Sequence, residues 1–212
     1  MNAATLRLVL DDALRTLEAT RDELRDLDAA IGDGDLGITV SEGARAIREG
    51  LHALPEAAGI ADVLRACAKN FAAANPSTMS ALVAGGLLAS AKALAGAPVL
   101  DRAGCLTLLE TSTATIARRG KAELGDKTVV DAMHPTIEML RNAGPDDHAA
   151  LSSMIDAADR AVKHTTELQS QRGRAAWVGE RTKGHPDGGA TAYLRLLQAL
   201  ERATPRPMSE RA

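Results

Sequence analysis

Apolar residues recur at three- and four-residue intervals along nearly the whole chain, and this period restricts the fold more than any single motif does. Leu6, Val9, Leu10, Ala13, Leu14 and Leu17 fall on one face of a helix over about Thr5 to Ala19. A second segment, Thr20 to Ile31, opens on Thr20-Arg21-Asp22-Glu23, which has the pattern of a capping box. Val40, Ala44, Ile47 and Leu51 mark a helix from Thr39 to Leu54 that Pro55 ends, and Val63, Leu64, Cys67 and Phe71 mark one from Ile60 to Ala74. Ser77 to Ala95, Asp101 to Arg118, Thr128 to Asn142, Asp146 to Gln169 and Ala190 to Ala203 read the same way. Pro135 predicts a kink or a short first segment in its helix. The Ser77 segment is apolar almost all round, which predicts a central position.

Of the 212 residues, 45% are hydrophobic but only 1% aromatic, so a core must be built from Ala, Leu, Val, Ile and Met, which suits closely packed helices. No segment alternates like a strand and no long repeat is visible. The expectation is therefore all-α: one domain of about eight helices over residues 1–204, followed by a frayed tail at 205–212. A net charge of -3 and the lack of aromatic stacking platforms argue against nucleic-acid binding. No apolar run reaches the ~18 residues of a membrane span, and the first residues lack a basic segment followed by an apolar one, so neither a membrane anchor nor a signal peptide is expected. Cys67 and Cys105 stand apart within apolar helical patterns, as reduced core residues of a cytoplasmic protein would.

The chemistry concentrates where the helical period fails. Leu27-Asp28-Ala29-Ala30-Ile31-Gly32-Asp33-Gly34-Asp35-Leu36-Gly37 places three carboxylates in a segment whose glycines let the backbone fold back, so that Asp28, Asp33 and Asp35 can converge. Clustered carboxylates repel one another unless a cation lies between them, and Mg²⁺ with a nucleotide phosphate is a natural occupant. The literal G-x-G-x-x-G match from Gly32 to Gly37 lacks the preceding strand that a dinucleotide fingerprint needs. An EF-hand starting at Asp33 would have Ala44 at its twelfth position instead of Glu. Read alone, an Asp-Gly-Asp run is an ordinary solvated turn; Asp28 and three further polar connections tip the balance. Those connections are Asn75 to Thr78, Gly120 to Thr128 and Arg174 to Gly189. If they lie at one end of an antiparallel bundle they can share a ligand, with Thr39, Ser77 and Thr78 at helix starts that accept anions. Lys121, Lys127 and Arg174 could balance phosphate charge; the two lysines read equally well as solvated surface residues.

Leu27 to Asp35, Gly120-Lys121-Ala122-Glu123-Leu124-Gly125-Asp126-Lys127-Thr128, Gly173-Arg174-Ala175-Ala176-Trp177-Val178-Gly179-Glu180-Arg181 and Gly184-His185-Pro186-Asp187-Gly188-Gly189-Ala190-Thr191 together resemble the nucleotide-binding L subunit of dihydroxyacetone kinases, in order and across nearly the whole chain. The resemblance implies a barrel of eight antiparallel helices with ADP or ATP held at one end through two Mg²⁺ ions. It carries metal binding to Asp28, Asp33 and Asp35. It carries nucleotide contacts to Leu36, Gly37, Ile38 and Thr39, to Ser77 and Thr78, to Gly120 and Val129, to Arg174, and to Asp187, Gly188 and Gly189. Where the family often has His after the last acid this chain has Leu36, and Asn75-Pro76-Ser77-Thr78 stands where a Gly-Ala-Ser-Gly loop is common. The activity implied is phosphoryl transfer to a short ketose such as dihydroxyacetone, held by a separate ketose-binding K-type subunit. Two other readings stay open: a phosphocarrier whose bound ADP is recharged by a phosphotransferase-system protein, and a regulatory module that only reports nucleotide state.

Overall fold

Short connections make successive helices run back past one another, and in the computed structural model, which describes residues 1–205, they close into a ring. The helices are α1 (Ala3–Glu18), α2 (Arg21–Ile31), α3 (Leu36–His52), α4 (Ile60–Ala74), α5 (Thr78–Ala93), α6 (Arg102–Gly120), α7 (Val129–Arg141), α8 (Asp147–Thr165) and α9 (Gly188–Ala203), with a 3₁₀ segment at Arg174–Thr182. There is no strand among the described residues. Each of α3 to α9 packs on the next in order, and α9 packs on α1, which packs on α3. That makes eight staves, with α2 lying outside against α3 and α9. The all-α expectation holds; most of the expected tail lies outside the described residues.

Side-chain pairs fix the directions. On α1 and α3, Arg7 reaches the carbonyl of Leu54 while Arg48 bonds Asp11 and Glu18. On α6 and α7, Arg102 reaches Ala143 and Arg141 meets Glu110. On α8 and α9, Ser152 at the start of one helix donates to Glu201 at the end of the other. Neighbouring staves are thus antiparallel, and the α2–α3, α4–α5, α6–α7 and α8–α9 connections gather at one end.

Two apolar clusters fill the ring. One is centred on Leu14, Leu24, Leu51, Ile60 and Val63, the other on Ile137, Met154, Leu194 and Leu197, and the partly buried Cys105 and Leu108 pack against both. Cys67 is buried as expected, and burial pushes its thiol up to about 12; Cys105 is only half-buried. Tyr193 enters the core with its hydroxyl paired to Thr136, as a buried phenol requires.

Several details depart from the sequence reading. The α5 helix is one stave, not the centre: Leu88 is exposed, and the inward face is built from Ser80, Ala84, Gly85, Gly86 and Ser90. Its all-round apolar character comes from small residues that let α6 approach; a Cβ at Gly86 would lie 3.3 Å from the Ser112 backbone. The Thr20 capping box does not form, because Thr20 Oγ1 donates to the Leu17 carbonyl and Glu23 pairs with Arg195 of α9. The α7 helix continues through Pro135 with no separate first segment. No helix among the described residues is long and apolar enough to cross a membrane.

Candidate functional site

The acidic loop runs back along the helix that precedes it. Gly34 takes a left-handed conformation (φ 78) against Ala29, and Gly37 lies so close to the Arg21 carbonyl that no side chain fits there. This return starts α3 at Leu36, three residues before Thr39, and brings carboxylate oxygens of Asp28, Asp33 and Asp35 all within 4.8 Å of one another. Asp35 is the α3 N-cap, yet its side chain makes no capping bond, which leaves its oxygens to the cluster. Burial, and then the charge of Asp28, push the Asp35 carboxyl above its ordinary value, as expected where like charges share a site.

The donor set fits a hard divalent cation: three oxygens from separate turns, and open N–H groups of a helix start beside them. Leu36 N, at the very start, already donates to Asp28 Oδ2 at 3.4 Å, so the open amides among the described residues are those of Gly37 and Ile38. Thr39, in the first turn of α3, is 2% exposed and its Oγ1 has no partner. Arg174 brings a guanidinium to the same acids, pairing with Asp33 and donating to Asp35 at 2.9 Å. A cavity of about 460 Å³ lies between this loop and the 3₁₀ segment, lined by Ile31, Gly32, Asp33, Arg174, Trp177, Val178 and Arg181.

The remaining expected contacts lie at the same end of the ring. A Cβ at Gly188 would lie 2.5 Å from Leu36 Cδ2, and one at Gly189 3.6 Å from Val129 Cβ, so the starts of α3, α7 and α9 touch. The Leu36 side chain is thereby buried under Gly188, which leaves its backbone as the part able to meet a ligand. Gly120 ends α6 against Leu82 of α5. Ser77 caps α5 in a reciprocal pair: its Oγ accepts from Ser80 N at 3.1 Å and its N donates to Ser80 Oγ at 2.8 Å. No hydrogen bond among the described residues ties Ser77, Thr78 or Gly120 to the acids.

Two residues escaped or contradicted the sequence reading. Trp177, 88% exposed, stands at the cavity rim. Lys127 is not a surface residue: it is 2% exposed, with its ammonium inside the α8–α9 connection. Burial pushes its pKa down, opposed by the charge of Asp187. Lys121, by contrast, is exposed in the left-handed position that ends α6.

Asp187 caps α9, accepting from Ala190 N at 2.7 Å. Burial, above all, pushes its carboxyl from 3.8 up to about 6; the Ala190 amide opposes the shift and Asp131 adds to it. The native state therefore holds this proton between pH 3.8 and about 6, where the unfolded chain has released it, and the stability this group contributes is lost as pH rises through that window. Asp187→Asn removes the titration, so its melting temperature relative to the parent should climb between pH 4 and pH 7 by about 5–10 °C. A difference that stays flat with pH in scanning calorimetry would contradict the assignment.

A ring of antiparallel helices with a trio of acids, open helix starts and an arginine at one end defines an all-α protein whose end has the chemistry to receive an anionic ligand carried with a cation. The chain belongs to the DAK2 domain family, which matches residues 30–202. It is 30% identical to a Listeria innocua protein named PEP-dependent dihydroxyacetone kinase 2, ADP-binding subunit DhaL, over 94% of each chain. It is 34% identical to the D-erythrulose kinase of Mycolicibacterium smegmatis over 86% of this chain and 32% of that one. It also superposes on a crystal structure of the dihydroxyacetone kinase from C. freundii in complex with AMP-PNP and Mg2+, with a TM-score of 0.77 and 25% identity, covering 96% of this chain and 34% of the larger one.

Proposed function

We propose that this chain is the nucleotide-binding subunit of a short-chain ketose kinase, which transfers a phosphoryl group from a Mg²⁺-bound nucleotide to dihydroxyacetone or a similar ketose held by a separate K-type subunit. The observation that carries the reading is the convergence of Asp28, Asp33 and Asp35 beside the start of α3, in a chain similar along its length to an ADP-binding kinase subunit. The three acids would hold the magnesium, two ions in the form that the family resemblance implies. Bound there, the metal supplies neutralisation of phosphate charge, much of what phosphoryl transfer demands.

The protein's own groups do the rest. Backbone N–H groups of Gly37 and Ile38, and that of Leu36 once it leaves Asp28, donate to phosphate oxygens at the start of α3 with Thr39 behind them, and Ser77 and Thr78 do so at the start of α5. Arg174 closes over the phosphates from the 3₁₀ segment. Gly120, Val129 and the Asp187-Gly188-Gly189 turn, where the starts of α7 and α9 meet, flank the base and ribose. Asp28, Asp33 and Asp35 would act on the phosphoryl group through the cation they hold, at the end of the ring where the acceptor subunit would dock.

A second reading has its own support. The relative matched end to end is named PEP-dependent and ADP-binding, which favours a phosphocarrier whose ADP stays bound and is recharged in place by a phosphotransferase-system protein. The similarity to an erythrulose kinase favours exchange of ATP. The fate of nucleotide during purification separates the two: stoichiometric ADP that does not exchange with labelled ADP identifies the carrier.

Calorimetric titration with ADP and Mg²⁺ tests the site itself, and the absence of Mg²⁺-dependent binding sinks the proposal. Within that titration Arg174→Ala should weaken ADP about tenfold, the loss of one charge-assisted contact, while Lys121→Ala stays within about twofold. Mg²⁺ alone should bind Arg174→Ala at least as well as the parent, because Asp33 and Asp35 lose a competing cation. Equal losses of ADP affinity in the two variants would reverse this ranking of the basic residues.

A further inference from the structure

By exposed surface, Lys127 is the one buried charged side chain among the described residues, and its surroundings match an ammonium donor for donor. Its Nζ donates to the carbonyls of Leu168 at 3.1 Å, Thr182 at 2.5 Å and His185 at 2.6 Å. An ammonium has three hydrogens, and all three find carbonyl oxygens from the single connection that links α8 to α9. The residue holds a left-handed backbone (φ 60), a conformation that costs a side-chain-bearing residue energy and persists where surrounding structure overrides it.

The neighbouring bonds fasten the same connection to the same place. Asp126 takes the Gln171 amide on its carbonyl at 3.0 Å and the Arg172 guanidinium on its carboxylate at 2.7 Å. Gly184 N donates to the Thr166 carbonyl at 2.7 Å and Asp187 N to Thr165 Oγ1 at 2.9 Å, which closes the base of the loop. The loop carries Arg174 at its far side and passes directly into Asp187, Gly188 and Gly189. Among the described residues it contributes to neither apolar cluster; buried Thr182, whose carbonyl takes the ammonium, receives the amide of buried Ser170 on its Oγ1. A loop with so little apolar filling is ordered by polar bonds, and three of those converge on one atom.

We propose that Lys127 is a positioning residue of the nucleotide site: by gathering the carbonyls of Leu168, Thr182 and His185, it holds the α8–α9 connection so that Arg174 and the Asp187 turn face the acidic loop. The role rests on the nucleotide reading above and adds a residue that never touches the ligand. Lysine is required because its donors radiate from one atom, whereas the planar fork of arginine, of similar charge, cannot reach three carbonyls around a point.

The test compares the parent with Lys127→Met, which keeps the length and removes the donors, and with Lys127→Gln, which keeps two of them. Three quantities are read well below the unfolding midpoint: ADP affinity with Mg²⁺ by calorimetry, Mn²⁺ affinity without nucleotide by electron paramagnetic resonance, and amide hydrogen exchange over residues 166–187. Lys127→Met should weaken ADP at least about tenfold, the loss expected when buried carbonyls go unpaired, with Lys127→Gln between it and the parent. Exchange over 166–187 should quicken in the same order, and Mn²⁺ affinity should hold, since Asp28, Asp33 and Asp35 lie on another element. Should Lys127→Met not fold, the glutamine variant decides alone. Unchanged ADP affinity, or parallel losses of ADP and Mn²⁺, overturns the positioning role. A parent chain that binds no ADP sinks the nucleotide reading itself, a result distinct from a variant that binds as well as its parent.

Discussion

Asp33→Ala and Asp35→Ala should each abolish Mg²⁺-dependent ADP binding while leaving the helical ring intact. Disturbing a group that merely supports a metal ligand costs about 10- to 100-fold in affinity, so removing a ligand from a set of three should exceed about 100-fold. Stability should change little. Both acids are about half exposed and sit in a loop outside the two apolar clusters, where substitutions stay within about ±0.5 kcal/mol. Mutual repulsion within the trio is relieved by either change, and Arg174 loses a partner in exchange, so the two effects oppose. Titrations with ADP in Mg²⁺ and in EDTA, together with thermal unfolding, separate these quantities. An ADP affinity within threefold of the parent in both variants would falsify the metal assignment.

The second large effect is a dependence on another chain. The purified protein with Mg²⁺-ATP and dihydroxyacetone, or a four-carbon ketulose, should show negligible sugar phosphorylation, and addition of a ketose-binding subunit should raise the rate by several orders of magnitude, as positioning of two reactants does. The physical basis lies in the ring: its acids, its helix starts and the cavity beside Asp33 and Arg174 are all taken up by the nucleotide in this reading. The docking face should be the end that carries Asp28, Asp33, Asp35 and Ser77, because transfer to a hydroxyl must exclude water. Trp177, exposed at that rim, provides the readout: its fluorescence should change when the partner binds. Robust ketose phosphorylation by this chain alone, in a preparation free of other kinases by mass spectrometry, would refute the two-subunit reading.

The helices were legible because each stave keeps one apolar stripe, and stripes such as Leu6-Val9-Ala13-Leu14-Leu17 are recovered almost residue for residue in the core. The acidic trio was legible too, since glycines beside acids signal a fold-back. Periodicity failed where side chains are small. The α5 helix has no polar face because alanine and glycine serve both inside and outside, so its sequence cannot say which way it turns. The start of α3 was missed because Leu36 and Gly37 continue a glycine-rich run, and only the packing of Gly37 on α2 draws them into a helix. Glycines also disguised the 3₁₀ segment as irregular loop. Lys127 was misjudged for a different reason: its partners are backbone carbonyls some forty to sixty residues away, and a carbonyl leaves no trace in a sequence.

The contact of α9 with α1 joins the two ends of the chain's helical part, and this has a bearing on the order in which the protein acquires its parts. The ribosome delivers Asp28, Asp33 and Asp35 first, and Arg174 and the Asp187 turn follow only after more than a hundred further residues. Until α9 appears, the apolar flanks of α1 and α8 have no covering partner, and long-range closures of this type are slow compared with helix formation. A nascent chain therefore carries the acids without the groups that complete a nucleotide site. Its exposed seam at that stage is the part of its surface on which a chaperone has something to hold.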